Sequence, residues 1–151
     1  MSTKEVDLFR DTPIRYLGYA NEVGESFRHV YPRLVVPSYV VAFGYVLADT
    51  ASNAQKQYKK DGALSSKLMV KSGDVLVWQT LASVMIPGFV INRIVLATRM
   101  IFGLKAITAV AGLSLMRFGP TGVGLGAIPF IIHPIDHGVD YLMDNTYRKM
   151  L

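Results

Sequence analysis

His133, Asp136, His137 and Asp140 come nearest to a reaction centre in this sequence, because helical spacing sets two imidazoles and two carboxylates four residues apart. Pro134 interrupts the pattern. A helix that starts there leaves His133 outside regular geometry and puts Asp136 in its first turn, where the helix dipole favours an anion. Asp136, Asp140 and Asp144 then read as a solvated acidic stripe, with Asp144 and Arg148 forming an i, i+4 pair. Gly122, Gly124 and Gly126 carry neither the Lys-Ser/Thr of a Walker loop nor G-x-G-x-x-G spacing, so phosphate chemistry has no basis there. The Gly122-x-x-x-Gly126 spacing instead predicts close helix approach. Without cysteine, thiolate zinc sites, disulfides and cysteine nucleophiles are excluded. These residues assign no catalytic, cofactor-binding or metal site, and no cofactor.

A second group is polar rather than reactive. Gln79, Asn92 and Arg93 fall within or beside a long apolar run, where polar groups are costly and often functional. Arg93 reads as a snorkelling boundary residue or as part of a substrate pathway. Lys56, Lys59, Lys60, Lys67 and Lys71 read as a solvated loop or a contact for anionic lipid.

The elements that must position these residues belong to one domain of 151 residues, 51% hydrophobic and only 18% charged. Such a composition argues against disorder and for membrane residence. The net charge of +5 is spread without a run of five like charges, which argues against a nucleic-acid partner. MSTKEVDLFRD is neither a secretory signal nor an Arg-rich, acid-poor transit peptide, so no cleavable presequence is expected.

Thr12-Pro13 marks a helix start, and an amphipathic helix is predicted over 12–31. Tyr16, Leu17, Tyr19, Ala20, Val23, Phe27, Val30 and Tyr31 share one face; Arg15, Asn21, Glu22, Glu25, Arg28 and His29 share the other. Packed apolar side inward, against protein or at an interface, the helix would lose function with Val23→Asp or Phe27→Asp and tolerate Glu22→Gln. Uncharged runs predict membrane segments at 34–48 and 75–92, the second kinked at Pro87-Gly88, with a polar basic loop at 49–74 between them. Glycine and proline crowding predicts a broken or re-entrant apolar region over 94–133, before a terminal helix at 134–150. The fold class is therefore all-α: a helical multi-pass membrane protein with an N-terminal amphipathic helix and a broken Gly/Pro-rich C-terminal membrane region. Basic residues divide about equally between 1–33 and 49–74, so topology stays open.

Three blocks carry a family resemblance: RDTPIRYLGYANEVGESFR at 10–28, WQTLASVMIPGFVINR at 78–93 and IPFIIHPIDHGVDYLMDNTYRKM at 128–150. In colinear order over most of the chain they resemble the mitochondrial fission process protein family. The resemblance implies a multi-pass protein of the mitochondrial inner membrane that promotes organelle division; the physical route expected for it is non-enzymatic, a scaffold or adaptor that maintains inner-membrane morphology, with the amphipathic helix and lysine loop engaging protein or anionic lipid. Its expected partners are inner-membrane proteins and, second, anionic lipid. A transporter or carrier regulator is the main alternative, and a lipid enzyme using His133 and Asp136 a further one. No oligomeric state is assigned.

Overall fold

The computed structural model describes residues 6–9, 11–62, 64–110 and 112–151, and the described residues form helices without a strand. In chain order they are a 3-10 segment Pro13–Tyr19, α1 (Ala20–Ser26), a 3-10 turn Pro32–Leu34, α2 (Val35–Asp61), α3 (Ser66–Gln79), a π-helical segment Thr80–Met85, α4 (Ile86–Phe102), α5 (Lys105–Thr108), α6 (Leu113–Asn145) and α7 (Tyr147–Met150). Three helical stretches, Pro32–Asp61, Ser66–Phe102 and Leu113–Met150, are long and apolar enough to cross a membrane.

The segment 49–74, expected as a loop, is mostly helix. Ala51, Ala54, Gln55, Lys56, Gln57, Lys59 and Lys60 are good helix formers, and their polarity changes what α2 faces rather than whether it continues. α2 ends at Asp61 and α3 begins at Ser66. Gly62 ends α2 with φ 66°, its N–H donating to the Tyr58 carbonyl at 2.9 Å, and the Ser65 hydroxyl caps α3 by accepting from Leu68 N–H at 3.3 Å. A β-branched side chain is strained at that positive φ, so Gly62→Val should destabilise by roughly 1–2 kcal/mol, measurable as a lowered Tm in detergent.

The membrane segment expected at 75–92 lies within a longer helical stretch that bends its hydrogen bonding but does not stop. Pro87 supplies no N–H to the preceding turn, and the chain answers with the π-helical turn at Thr80–Met85 just before it. Of the region expected to be broken over 94–133, α4 ends at Phe102 and α6 begins at Leu113, with the short α5 between them. Beyond it α6 runs unbroken through Pro120, Pro129 and Pro134. The residues expected as a separate terminal helix are its final turns plus α7. In an apolar surrounding no water competes for the backbone groups, which is how a membrane helix accommodates proline.

The N-terminal segment departs furthest from expectation. Thr12 does cap the start, accepting from Ile14 N–H at 3.3 Å with Pro13 in the first position. The helix is then divided into 3-10 and α parts that end at Ser26, and in the α part the polar residues turn inward. Asn21 and Glu22 are 0% exposed and Glu25 3%, whereas Tyr16 is 72%, Leu17 50% and Val23 42% exposed. Asn21, Glu22, Glu25 and Ser26 pack into the bundle of α2, α4 and α6 while Tyr16, Leu17 and Val23 point away from it, although Tyr19 is buried with the first group and Arg28 is exposed. The long helices follow the same rule: Val36, Val40, Leu47, Phe89, Val123 and Phe130 lie on the outside. The buried apolar clusters are small, Ala42, Tyr45, Val46 and Val84 in one and Ala82, Val139 and Met143 in the other.

Candidate functional site: a buried polar seam

The N-terminal segment is bonded along the bundle by a run of polar contacts. Tyr45 Oη donates to the Phe9 carbonyl at 2.5 Å, Arg15 pairs with Asp136 at 3.0 Å, and Asn21 Nδ2 donates to the Val84 carbonyl at 2.8 Å. The Glu25 carboxylate gathers three elements: it accepts from both arms of Arg28 at 2.7 Å, from Tyr39 Oη of α2 at 2.9 Å and from Asn92 Nδ2 of α4 at 2.9 Å. His29 Nε2 lies 2.9 Å from the Arg117 carbonyl of α6. Asn92, singled out in the sequence, is thus a structural partner of Glu25.

Small residues allow this approach. A Cβ on Gly24 would sit 1.9 Å from Ser38 Oγ, and one on Gly88 would sit 2.6 Å from Tyr39 Oη and 2.8 Å from Asn21 Nδ2. On α6 the close contact is at Gly124, which meets Ser26 and Val95, whereas Gly122 and Gly126 have open space where a side chain would be. The spacing expected to bring helices together therefore lies on roughly the opposite face of α6 from the real contact.

A second polar cluster lies beside the seam. Gln79 Nε2 donates to Asp49, whose other oxygen accepts from Asn53 Nδ2 at 2.9 Å, and Ser83 Oγ donates to Gln79 Oε1 at 2.5 Å. Ser83 spends its proton on an amide rather than on a base, so the arrangement holds helices together instead of activating a nucleophile. Gln79 is buried here, facing α2.

Electrostatically, Glu22 and Glu25 differ although one turn apart, and both lie outside the three long helices. Burial opposes ionisation of Glu25, but the hydrogen bonds from Arg28, Asn92 and Tyr39 outweigh it and hold its carboxyl below the usual range. Glu22 is buried with neither carboxylate oxygen hydrogen-bonded, and burial pushes its carboxyl up to about 8 against a small opposing effect of its own backbone N–H. A carboxyl so placed is mostly neutral at pH 7.

The histidines and aspartates of the C-terminal pattern are dispersed rather than assembled. His133 and His137 are exposed, Asp136 turns to Arg15, and Asp140 and Asp144 join Asp74 around Arg148 at 3.3, 2.7 and 2.7 Å. The acidic stripe, expected as a solvated face, is thus partly an interhelical ion-pair network. Among the described residues no group of three or more His, Asp or Glu side chains could hold a metal ion.

Comparison with known proteins decides the family. The sequence profile described as Mitochondrial 18 KDa protein matches residues 8–73 and 62–143. This chain belongs to the mitochondrial 18 kDa protein family. It is 47% identical to Mitochondrial fission process protein 1 of Homo sapiens, over 97% of this chain and 89% of that protein. With the protein of that name from Caenorhabditis elegans it shares 46% identity over 95% of this chain and 88% of the relative, and with that of Danio rerio 44% over 98% and 90%. No solved structure matches. For this member of the mitochondrial 18 kDa protein family, then, the seam and the three long apolar helices are the features that a functional account must use.

The seam was missed in the sequence because its residues, Asn21, Glu22, Glu25 and Ser26, form an ordinary polar helix face. The available signal was the chain's low charge, which makes lipid rather than water the expected surroundings of the outer surface. Enlarging the inward face should therefore do more harm than enlarging the outward one. Ser26→Leu, at a fully buried position packed against Gly124, should lower the amount of folded protein severalfold, while Val23→Leu leaves it unchanged, read by size-exclusion chromatography of the detergent extract.

Proposed function

We propose that this protein promotes mitochondrial fission as a non-catalytic inner-membrane scaffold. The reading is carried by its 44–47% identity, along nearly the whole chain, to relatives named for mitochondrial fission. In support, the buried polar groups are spent on joining the N-terminal segment to the long helices, and the outer surface is apolar. A rigid bundle of this kind acts by presenting surfaces to inner-membrane proteins and lipid, and so influences inner-membrane shape.

The test is rescue. In cells lacking the protein, the wild-type chain should restore the frequency of mitochondrial division, and Gly24→Val, which collides with Ser38, should not. Full rescue by a variant whose seam is shown to be open would remove the scaffold reading. A carrier or carrier regulator is the second reading, favoured by the π-helical turn before Pro87 and the buried Asp49 bonded to Gln79 at its start. Solute or proton flux into liposomes holding the pure protein, absent from empty liposomes, would establish that reading instead.

A further inference from the structure

Charge is distributed unevenly between the two ends of the bundle. No Asp or Glu occurs between Asp74 and Asp136, and the antiparallel helices gather Arg28, Arg33, Arg93, Arg99, Lys105 and Arg117 towards one end, where Glu25 is the acid. At the other end the lysines of α2 and α3 are interspersed with Asp7, Asp61, Asp74, Asp140 and Asp144. The first end is therefore a strongly cationic pole.

A cavity of ≈ 320 Å³ opens at this pole between the end of α1 and the outer face of α4. Arg28, Arg93 and Arg99 line it, with Glu25 and Asn92 at its base and Val95 and Leu96 along its wall. Glu25 offers little repulsion to an anion, because Arg28, Tyr39 and Asn92 occupy its oxygens. Arg93 is held in place by Asn92 Oδ1, at 2.6 and 3.1 Å, with its guanidinium 5.3 Å from the centre of the Phe89 ring. Neither Arg93 nor Arg99 forms an ion pair among the described residues. The cavity thus combines two guanidinium groups without a carboxylate partner, one of them oriented by Asn92, with an apolar wall at Val95 and Leu96 that adjoins the exposed Phe89.

We infer that this cavity binds the phosphodiester headgroup of an anionic glycerophospholipid, Arg93 and Arg99 holding the phosphate while an acyl chain lies along Leu96 and the outer face of α4. Planar guanidinium groups match the paired oxygens of a phosphodiester, and a free phosphate would leave the apolar wall unused. The lysines of the opposite end, which in sequence look equally suited to lipid, stand among aspartates and are the weaker site.

The inference rests on the membrane reading, which alkaline carbonate extraction tests separately: release of the chain would overturn both, whereas a retained chain lacking the lipid preference overturns the site alone. The full-length protein is extracted, equilibrated with mixed micelles of equal phosphatidylglycerol and phosphatidylcholine, and its retained lipid measured by native mass spectrometry. Phosphatidylglycerol should be enriched, and Arg93→Gln with Arg99→Gln should cut that enrichment by about fivefold or more. Both side chains are exposed, so folding should survive, which a thermal melt checks. Lys59→Gln with Lys60→Gln should change nothing, and Arg93→Lys with Arg99→Lys should retain an intermediate preference. Equal loss in the arginine and lysine pairs, or no enrichment at all, would overturn the site, and displacement of the lipid by millimolar inorganic phosphate would replace it with a phosphate site.

Discussion

Gly88→Leu is expected to abolish accumulation of the folded protein, while Gly122→Leu, another glycine inside a long helix, leaves it close to normal. The contrast follows from what surrounds each position. Around Gly122 there is nothing within 4 Å of the added atom, so the change adds only apolar surface to an exposed site. At Gly88 the new side chain must displace both Tyr39 and Asn21. Overpacking typically costs about 1–3 kcal/mol, and each buried polar group that loses its partner adds about 1–3 kcal/mol. The Val84 carbonyl would lose Asn21 and Glu25 would lose Tyr39, so the total is comparable with the whole stability of a small domain. Immunoblotting at matched transcript levels, together with the melting temperature of whatever protein is recovered, measures it.

Stability is also expected to fall as pH rises from about 5 to about 8, with Glu22→Gln removing most of that dependence. Glu22 has a raised carboxyl in the folded protein, about 8 against 4.5 for an unburied one. Below 4.5 it is neutral in both states, and its contribution is fully present. Between the two values the unfolded chain ionises while the folded one stays protonated, so stability declines by up to roughly 1.4 kcal/mol per pH unit, and it stops declining above 8. Glu25 acts with the opposite sign, being held below its usual range, so its contribution is lost only as the pH falls below that range. At pH 7 the glutamine variant should thus be at least as stable as the wild type, because a neutral amide replaces a carboxyl that folding must keep protonated. Chemical denaturation in detergent at pH 5, 6, 7 and 8 gives the comparison; parallel profiles for the two proteins would show that Glu22 ionises freely.

Much of the architecture is legible in the sequence. The uncharged runs at 34–48 and 75–92 lie within two long helical stretches, and Asp61-Gly62 marks the end of the first. Thr12 and Pro13 begin the N-terminal segment, as cap chemistry requires. Two kinds of inference failed for physical reasons. Proline and glycine spacing between Phe118 and Ile135 argues for a break in water, but lipid and neighbouring helices tolerate an interrupted hydrogen-bond ladder, and α6 continues. The periodicity of residues 16–31 separates apolar from polar residues without telling which turn inward: Tyr19 is buried with Asn21 and Glu22, and Arg28 is exposed. Hydrophobic burial assigns Val23 to the core when water surrounds the protein; with an apolar exterior, Asn21, Glu25 and Ser26 gain more by turning inward to hydrogen-bond partners, and Glu22 on the same face goes in with them. Glu25 was visible as a charge, but its union with Tyr39 and Asn92 joins residues 14 and 67 positions away, which no local pattern reveals.

The inward turn of the polar residues of α1 is the central claim, and disulfide trapping reaches it directly because the sequence contains no cysteine. A Cβ on Gly124 would lie 3.2 Å from that of Ser26, near the separation a disulfide spans, while Val23 points away from the bundle. On mild oxidation of intact membranes, Ser26→Cys with Gly124→Cys should form the intramolecular cross-link and Val23→Cys with Gly124→Cys should not, scored as a mobility shift reversed by reductant. Efficient cross-linking through position 23 and none through position 26 would place the apolar face inward and contradict the account.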